Sequence, residues 1–153
     1  MRARLMDVPL VASAVALALC CGASARADLK AALAEPDLEK RSGLALDNAS
    51  EALKTARQAY DKDDKAQFTA LTGEIEQSVD LAQTSLQQTG KDPRNHPKWF
   101  KKAEIETRDL LRRLDTLEQE MNYADRPLLE KVKAHVVKVH DELLLGLMEG
   151  KHK

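Results

Sequence analysis

The chain has 153 residues, with 24 Lys and Arg against 25 Asp and Glu and a formal net charge of −1. So even a balance gives no general reason to expect nucleic acid as a partner. Two Phe, two Tyr and one Trp are the only aromatics, so the core falls to Leu, Val, Ile and Ala, which suits helices better than a sandwich or a barrel.

The amino-terminal stretch reads as an export signal. Arg2 and Arg4 precede an apolar run from Val8 to Cys21, and Ala25-Arg26-Ala27 offers the Ala-x-Ala pattern that signal peptidase cuts. Residues 1–27 are expected to be removed on export by a bacterial Sec-type route, leaving 28–153 as one periplasmic or secreted domain. The run falls short of the roughly 20 apolar residues of a membrane span, and Pro9 stands near its start, so cleavage is favoured over anchoring. Cys20 follows Leu19 and Cys21 follows Cys20, so neither has the small neighbour that lipidation wants. Both cysteines leave with the signal, so 28–153 has no disulfide, thiol nucleophile, thiolate metal ligand or covalent haem attachment.

Four stretches then show helical spacing. The first, about 36–60, carries Leu38, Ala45, Ala49, Leu53, Ala56 and Tyr60 on one stripe. With Ala52 and Ala59 added, this face has little side-chain volume and lets a neighbour approach near the short end of the usual 8–10 Å range. Asp28 to Glu35 before it reads as a frayed extension. Asp64, with Gln67 three residues on, starts a second helix over about 64–89 with Phe68, Leu71, Ile75, Val79, Ala82 and Leu86 inward, and Gly90 suits a left-handed stop. Pro97 fits the first turn of a third helix, about 97–121, with Phe100, Ala103, Leu110, Leu111, Leu114, Leu117 and Met121 on one face. Asp125 as cap and Pro127 in the first turn open a fourth, about 126–149, with Leu129, Val132, Val136, Val139, Leu143 and Leu147 inward and Gly150 ending it before Lys151-His152-Lys153.

A shift of 61 residues superimposes Leu53 on Leu114, Leu71 on Val132, Ile75 on Val136 and Leu86 on Leu147. Two helical hairpins obey one packing rule, and neither buries its stripe alone. The expected fold is all-α, an antiparallel four-helix bundle of two long hairpins, with a dimer of more open hairpins as competitor. Asp28 to Gly90 carries net −5 and Lys91 to Lys153 net +2, so the halves attract weakly.

His140 alone among the histidines points inward, at the edge of the fourth stripe. His135 lies about 140° away around the helix, so the two cannot chelate together. Antiparallel pairing sets His140 level with Thr107 and Leu111, with Glu104 one turn away, and a buried polar cluster of Glu104, Thr107 and His140 is the favoured expectation. The alternative makes His140 a metal or haem ligand, with Met121 or Met148 opposite. A di-iron centre lacks its Glu-x-x-His pairs. No cofactor is expected.

Lys91 to Lys102 gathers Arg94, His96, Lys98, Lys101 and Lys102 around Trp99 and Phe100, the composition an anionic membrane surface or polyanion would meet. Phe100 on the core stripe and ordinary solvated lysines are the competing explanation and are favoured. Lysines in the first turn oppose the helix dipole without visible compensation. Asp61, Asp63 and Asp64 lack the EF-hand pattern, and no Gly-x-Ser-x-Gly or phosphate-cradling glycine motif occurs, so catalysis has no visible basis.

From Pro97-Lys98-Trp99-Phe100-Lys101-Lys102-Ala103-Glu104 through Leu110-Leu111-Arg112-Arg113-Leu114-Asp115 and Asp125-Arg126-Pro127 to His140-Asp141-Glu142-Leu143-Leu144, the chain resembles a group of small exported bacterial helical proteins of unknown function. The resemblance covers mainly residues 97–148. It implies a helical fold, brings no assigned activity to carry over, and marks Arg112, Arg113, Asp125, Arg126, His140 and Asp141 as the polar positions of interest. The expected function is a non-enzymatic protein-interaction or structural module of the cell envelope, monomer or homodimer, with an unknown protein partner; the alternative is a small-ligand, metal or haem-binding bundle centred on His140.

Overall fold

A computed structural model describes residues 29–149, so the expected signal peptide, the stop at Gly150 and the basic tail lie outside the described residues. Within them the chain is all-helical: α1 (Leu29–Ala34), α2 (Leu38–Asp61), α3 (Lys65–Gln88), α4 (Pro97–Glu120) and α5 (Pro127–Glu149), with a 3-10 turn at Tyr123–Asp125. The four long helices form a bundle. α2 packs most extensively on α3 and also on α4; α5 packs on α4 and α3. α3 and α4 scarcely touch, and α2 and α5 occupy opposite corners.

Local chemistry sets the ends. Pro36 has no N–H to continue a helix, and the Asp37 carboxylate accepts the Glu39 and Lys40 amides at 3.0 and 3.1 Å, so α2 starts afresh. The expectation of a frayed extension before α2 is thereby corrected. Residues 29–34 form a separate short helix, held by the fully buried Ala32 and by Arg41 donating to the Glu35 carbonyl at 2.8 Å. At the next turn Asp63 has φ 57°, and Asp64 accepts the Gln67 amide at 2.9 Å. Gly90 has φ 70°, a region a side chain enters only at a cost.

A second correction concerns Asp125. It does not cap α5: it ends the 3-10 turn, and its carboxylate accepts from Lys65 at 3.0 Å and from the Tyr60 hydroxyl at 3.2 Å. Tyr60 in turn accepts the Asn122 amide at 2.9 Å. The side chain that reads as a local cap therefore ties the second hairpin to the first, where Lys65 offers a full charge in place of an amide.

Ala45, Ala49, Ala52, Ala56 and Ala59 are all buried and form the inner face of α2. Opposite them α3 contributes Phe68, Ile75, Val79, Ala82 and Leu86, and the second hairpin supplies Leu110, Leu114, Leu117, Leu129, Val132 and Val136. Small residues on α2 allow close approach, in keeping with the extensive α2–α3 contact. A polar cross-link sits within it: Asn48 donates to Ser78 at 2.8 Å and to Glu74 at 3.1 Å, and Ser78 donates back to the Glu74 carbonyl at 2.7 Å. Charged rungs line the remaining seams, with Arg57 on Glu120 at 2.6 Å, Lys131 on Glu76 at 3.2 Å, and Lys133 on Asp115 and Glu118 at 2.6 and 2.7 Å. The two carboxylates, Asp115 first, raise the Lys133 ammonium above its ordinary range. Exposed pairs of this kind add little individually.

Candidate functional site

Two clusters merit attention, and they have different chemistry. In the first, α4 and α5 bring Glu104, Thr107 and His140 together. Thr107 is fully buried, and its hydroxyl lies 2.9 Å from the Ala103 carbonyl and 3.2 Å from His140 Nδ1. A hydroxyl has one proton; donated back to Ala103, it leaves a lone pair that accepts from an Nδ1–H, so the network assigns that tautomer. Nε2 faces Glu104 at 4.0 Å, and Arg108 approaches the same carboxylate at 3.7 Å.

The Thr107 hydroxyl gives the His140 ring one hydrogen-bond partner within the bundle, which is what a largely buried imidazole needs. Among the described residues no group of three or more His, Cys, Asp or Glu converges in a way that would hold a metal. Met121 sits at the far end of α4, 14 residues and about 21 Å along the helix from Thr107. Met148 lies two turns beyond His140 and is 69% exposed. Neither stands opposite His140. His135 faces elsewhere and meets Asp80 at 2.7 Å.

The second cluster gathers around the start of α4. Pro97 opens α4, and the preceding His96 gives no side-chain cap. Trp99 is half-buried and packs over Gly43 of α2, where a Cβ would lie 3.7 Å from the ring and 3.3 Å from the Lys102 ammonium. The Lys98 and Lys102 ammonium groups each stand 5.4 Å from the Trp99 ring centroid. Lysines that oppose the helix dipole thus gain the face of the one indole in the chain, a compensation that spacing alone did not reveal. Lys102 also approaches Glu106 at 3.5 Å, and burial pushes the Glu106 carboxyl above its ordinary range.

Around Trp99 lies an open depression lined by Lys91, His96, Lys98 and Lys101, with Glu39 as its carboxylate. Lys91 pairs with Glu39 at 2.7 Å. Arg94 is exposed on the loop and does not line the depression; its amide donates to Asp92 at 3.0 Å. Lys91 also borders an apolar groove of about 230 Å³, whose walls include Leu86, Pro93, Phe100, Leu143 and Gly146. Pro93 is buried against Gly146, where a Cβ would come within 3.3 Å of its ring.

The polar positions marked by resemblance do not form one site. Arg112 pairs with Asp109, Arg113 donates to the Ser50 carbonyl at 3.0 Å, Arg126 stacks on Tyr123 at 5.8 Å, and Asp141 is exposed. Sequence reasoning also passed over Gly43, Glu39 and the groove. The signal for Gly43 was present, since a glycine inside a helical stretch marks close packing. The groove joins residues more than 50 positions apart and left no local signal. Comparison with family models, curated proteins and solved structures finds no match to this chain. Among the described residues no helix is long and apolar enough to cross a membrane.

Proposed function

We propose that this chain is an exported, non-enzymatic helical module of the bacterial cell envelope, built as two antiparallel hairpins, that works by presenting its Trp99 end to a protein partner. The observation that carries this reading is the half-buried Trp99, lining an open depression with two ammonium groups 5.4 Å from its ring centroid. Trp is among the side chains most enriched at contact hot spots. The antiparallel arrangement is supported by Lys133 meeting Asp115 and Glu118 close to the α4–α5 turn while His140 meets Thr107 further from it. Lys91 reaching Glu39 and Asn48 reaching Ser78 support it for the first hairpin. Export is supported by the leader pattern at residues 1–27.

A photo-crosslinking residue placed at Lys101, and separately at Lys62 at the opposite end, tests the contact surface in the intact envelope. A defined partner is expected from position 101 and not from 62, and equal labelling from both would defeat the proposal. Amino-terminal sequencing of the exported protein is expected to begin at Asp28; retention of residues 1–27 would defeat the export part alone.

A further inference from the structure

The geometry points to a binding site at this same end for a single-chain anionic amphiphile, its phosphate on the lysines beside Trp99 and its alkyl chain in the groove between α3 and α5. The inference rests on the reading of the Trp99 end as the working surface and names a ligand chemistry for it.

Two adjacent surfaces share Lys91. One is mainly apolar, walled by Leu86, Pro93, Phe100, Leu143 and Gly146, and about 230 Å³ in volume, with Gln83 and Glu142, hydrogen-bonded to each other, and Gln87 also in its lining. The other carries Lys91, Lys98 and Lys101 against one carboxylate, Glu39. Glu39 is already engaged by Lys91, while Lys98 and Lys101 meet no carboxylate among the described residues. The rim therefore keeps an excess of positive charge that favours an anion, and the groove favours a chain that leaves water. An amphiphile with an anionic head uses both surfaces, the groove for its chain and the lysines for its head. Trp99 lines the basic depression, where an indole tolerates an apolar neighbour on one side and water on the other. Gly146 keeps the groove open: a side chain there would run into Pro93. A neutral amphiphile would fill the groove and leave the lysines unused, and a bare anion would leave the groove empty.

The test uses the protein from Asp28 to Lys153 and soluble probes below their aggregation concentrations: hexyl, octyl and decyl phosphate, with alkyl glucosides of equal length. Binding is read by calorimetry and by emission of Trp99, the one tryptophan in the chain. The alkyl phosphates are expected to bind with affinity rising about threefold to fourfold per methylene while the groove is filling, and to shift Trp99 emission. Glucosides are expected to bind at least tenfold more weakly. Lys98→Gln/Lys101→Gln, two exposed changes that leave the core intact by circular dichroism, is expected to lose at least tenfold for the phosphates and nothing for the glucosides. Affinity independent of chain length, or equal for phosphates and glucosides, overturns the proposal. So does binding to phosphatidylglycerol vesicles without binding to any monomeric alkyl phosphate, which would make this end a bilayer contact. Failure of every alkyl phosphate to bind, while position 101 still cross-links a protein partner, would overturn this inference and leave the reading of the Trp99 end as a contact surface standing.

Discussion

Two carboxyls in this protein are displaced in opposite directions, and each displacement has a consequence for stability. Asp125 is held below its ordinary 3.8 by Lys65 first and by the Tyr60 hydroxyl as well. A lowered value means that the folded state favours the ionised form, so this contribution is present above 3.8 and is lost as pH falls through the folded value. The stability deficit of Asp125→Asn is therefore expected to be full near neutral pH and to shrink on acidification in urea titrations. Glu106 is raised above 4.5 because burial penalises its charge, and its Oε2 has no hydrogen-bond partner. The sign reverses here: its favourable contribution is present below 4.5 and is lost as pH rises through the raised value. Glu106→Gln is expected to be more stable than the parent near neutral pH, with the advantage vanishing in acid; a constant advantage would assign the effect to packing. The α2–α3 seam gives a third expectation. Ala49 is fully buried on the face where the two helices meet, so Ala49→Leu forces them apart and is expected to cost about 1–3 kcal/mol, read as a lower urea midpoint.

At the scale of elements, what governs is where each helix stops. Gly90 and Asp63 both adopt left-handed backbone, with φ 70° and 57°. Gly90→Ala is expected to cost about 1–2 kcal/mol, and Asp63→Gly to raise the thermal midpoint because glycine meets no steric penalty there. Equal effects of the same sign would show that backbone strain does not control these turns. The four long stripes were legible in the sequence because their periodicity spans six or seven turns, and nearly every inward residue on them is buried. Asn48, Ser78 and Ser85 were not noticed, although they fall on those stripes at helical spacing and are buried too. Polarity hid them from a search for apolar residues. Asp125 misled for a different reason: Asp before Pro is a cap signal in one dimension, and only the packed hairpins bring Lys65 and Tyr60 within reach of it. For the site the sequence showed which residues cluster along Lys91 to Lys102, while Glu39, Gly43 and Leu143 arrive from other helices.

At the scale of the molecule, the four long helices share one core, and the Tyr60–Asp125–Lys65 group ties α2 and α3 to the 3-10 turn while Trp99 on Gly43 ties α4 to α2. No one helix keeps its stripe covered without the others, so unfolding is expected to be a single transition. Helicity by circular dichroism and Trp99 emission should lose signal at the same urea concentration; an earlier loss of Trp99 emission would show the two ends to be uncoupled. Because α3 and α4 stand at opposite corners, the segment that links them has to run diagonally across the bundle, and Pro93 is pressed into Gly146 on the way. The two ends therefore differ in how they accept a break in the chain. New termini opened in the exposed turn at Asp61–Asp64 would free a few polar residues, and such a circular permutant should fold. New termini opened between Lys91 and Asn95 would lift a lid off the core, so that any natural insertion in this chain is to be sought at the first turn.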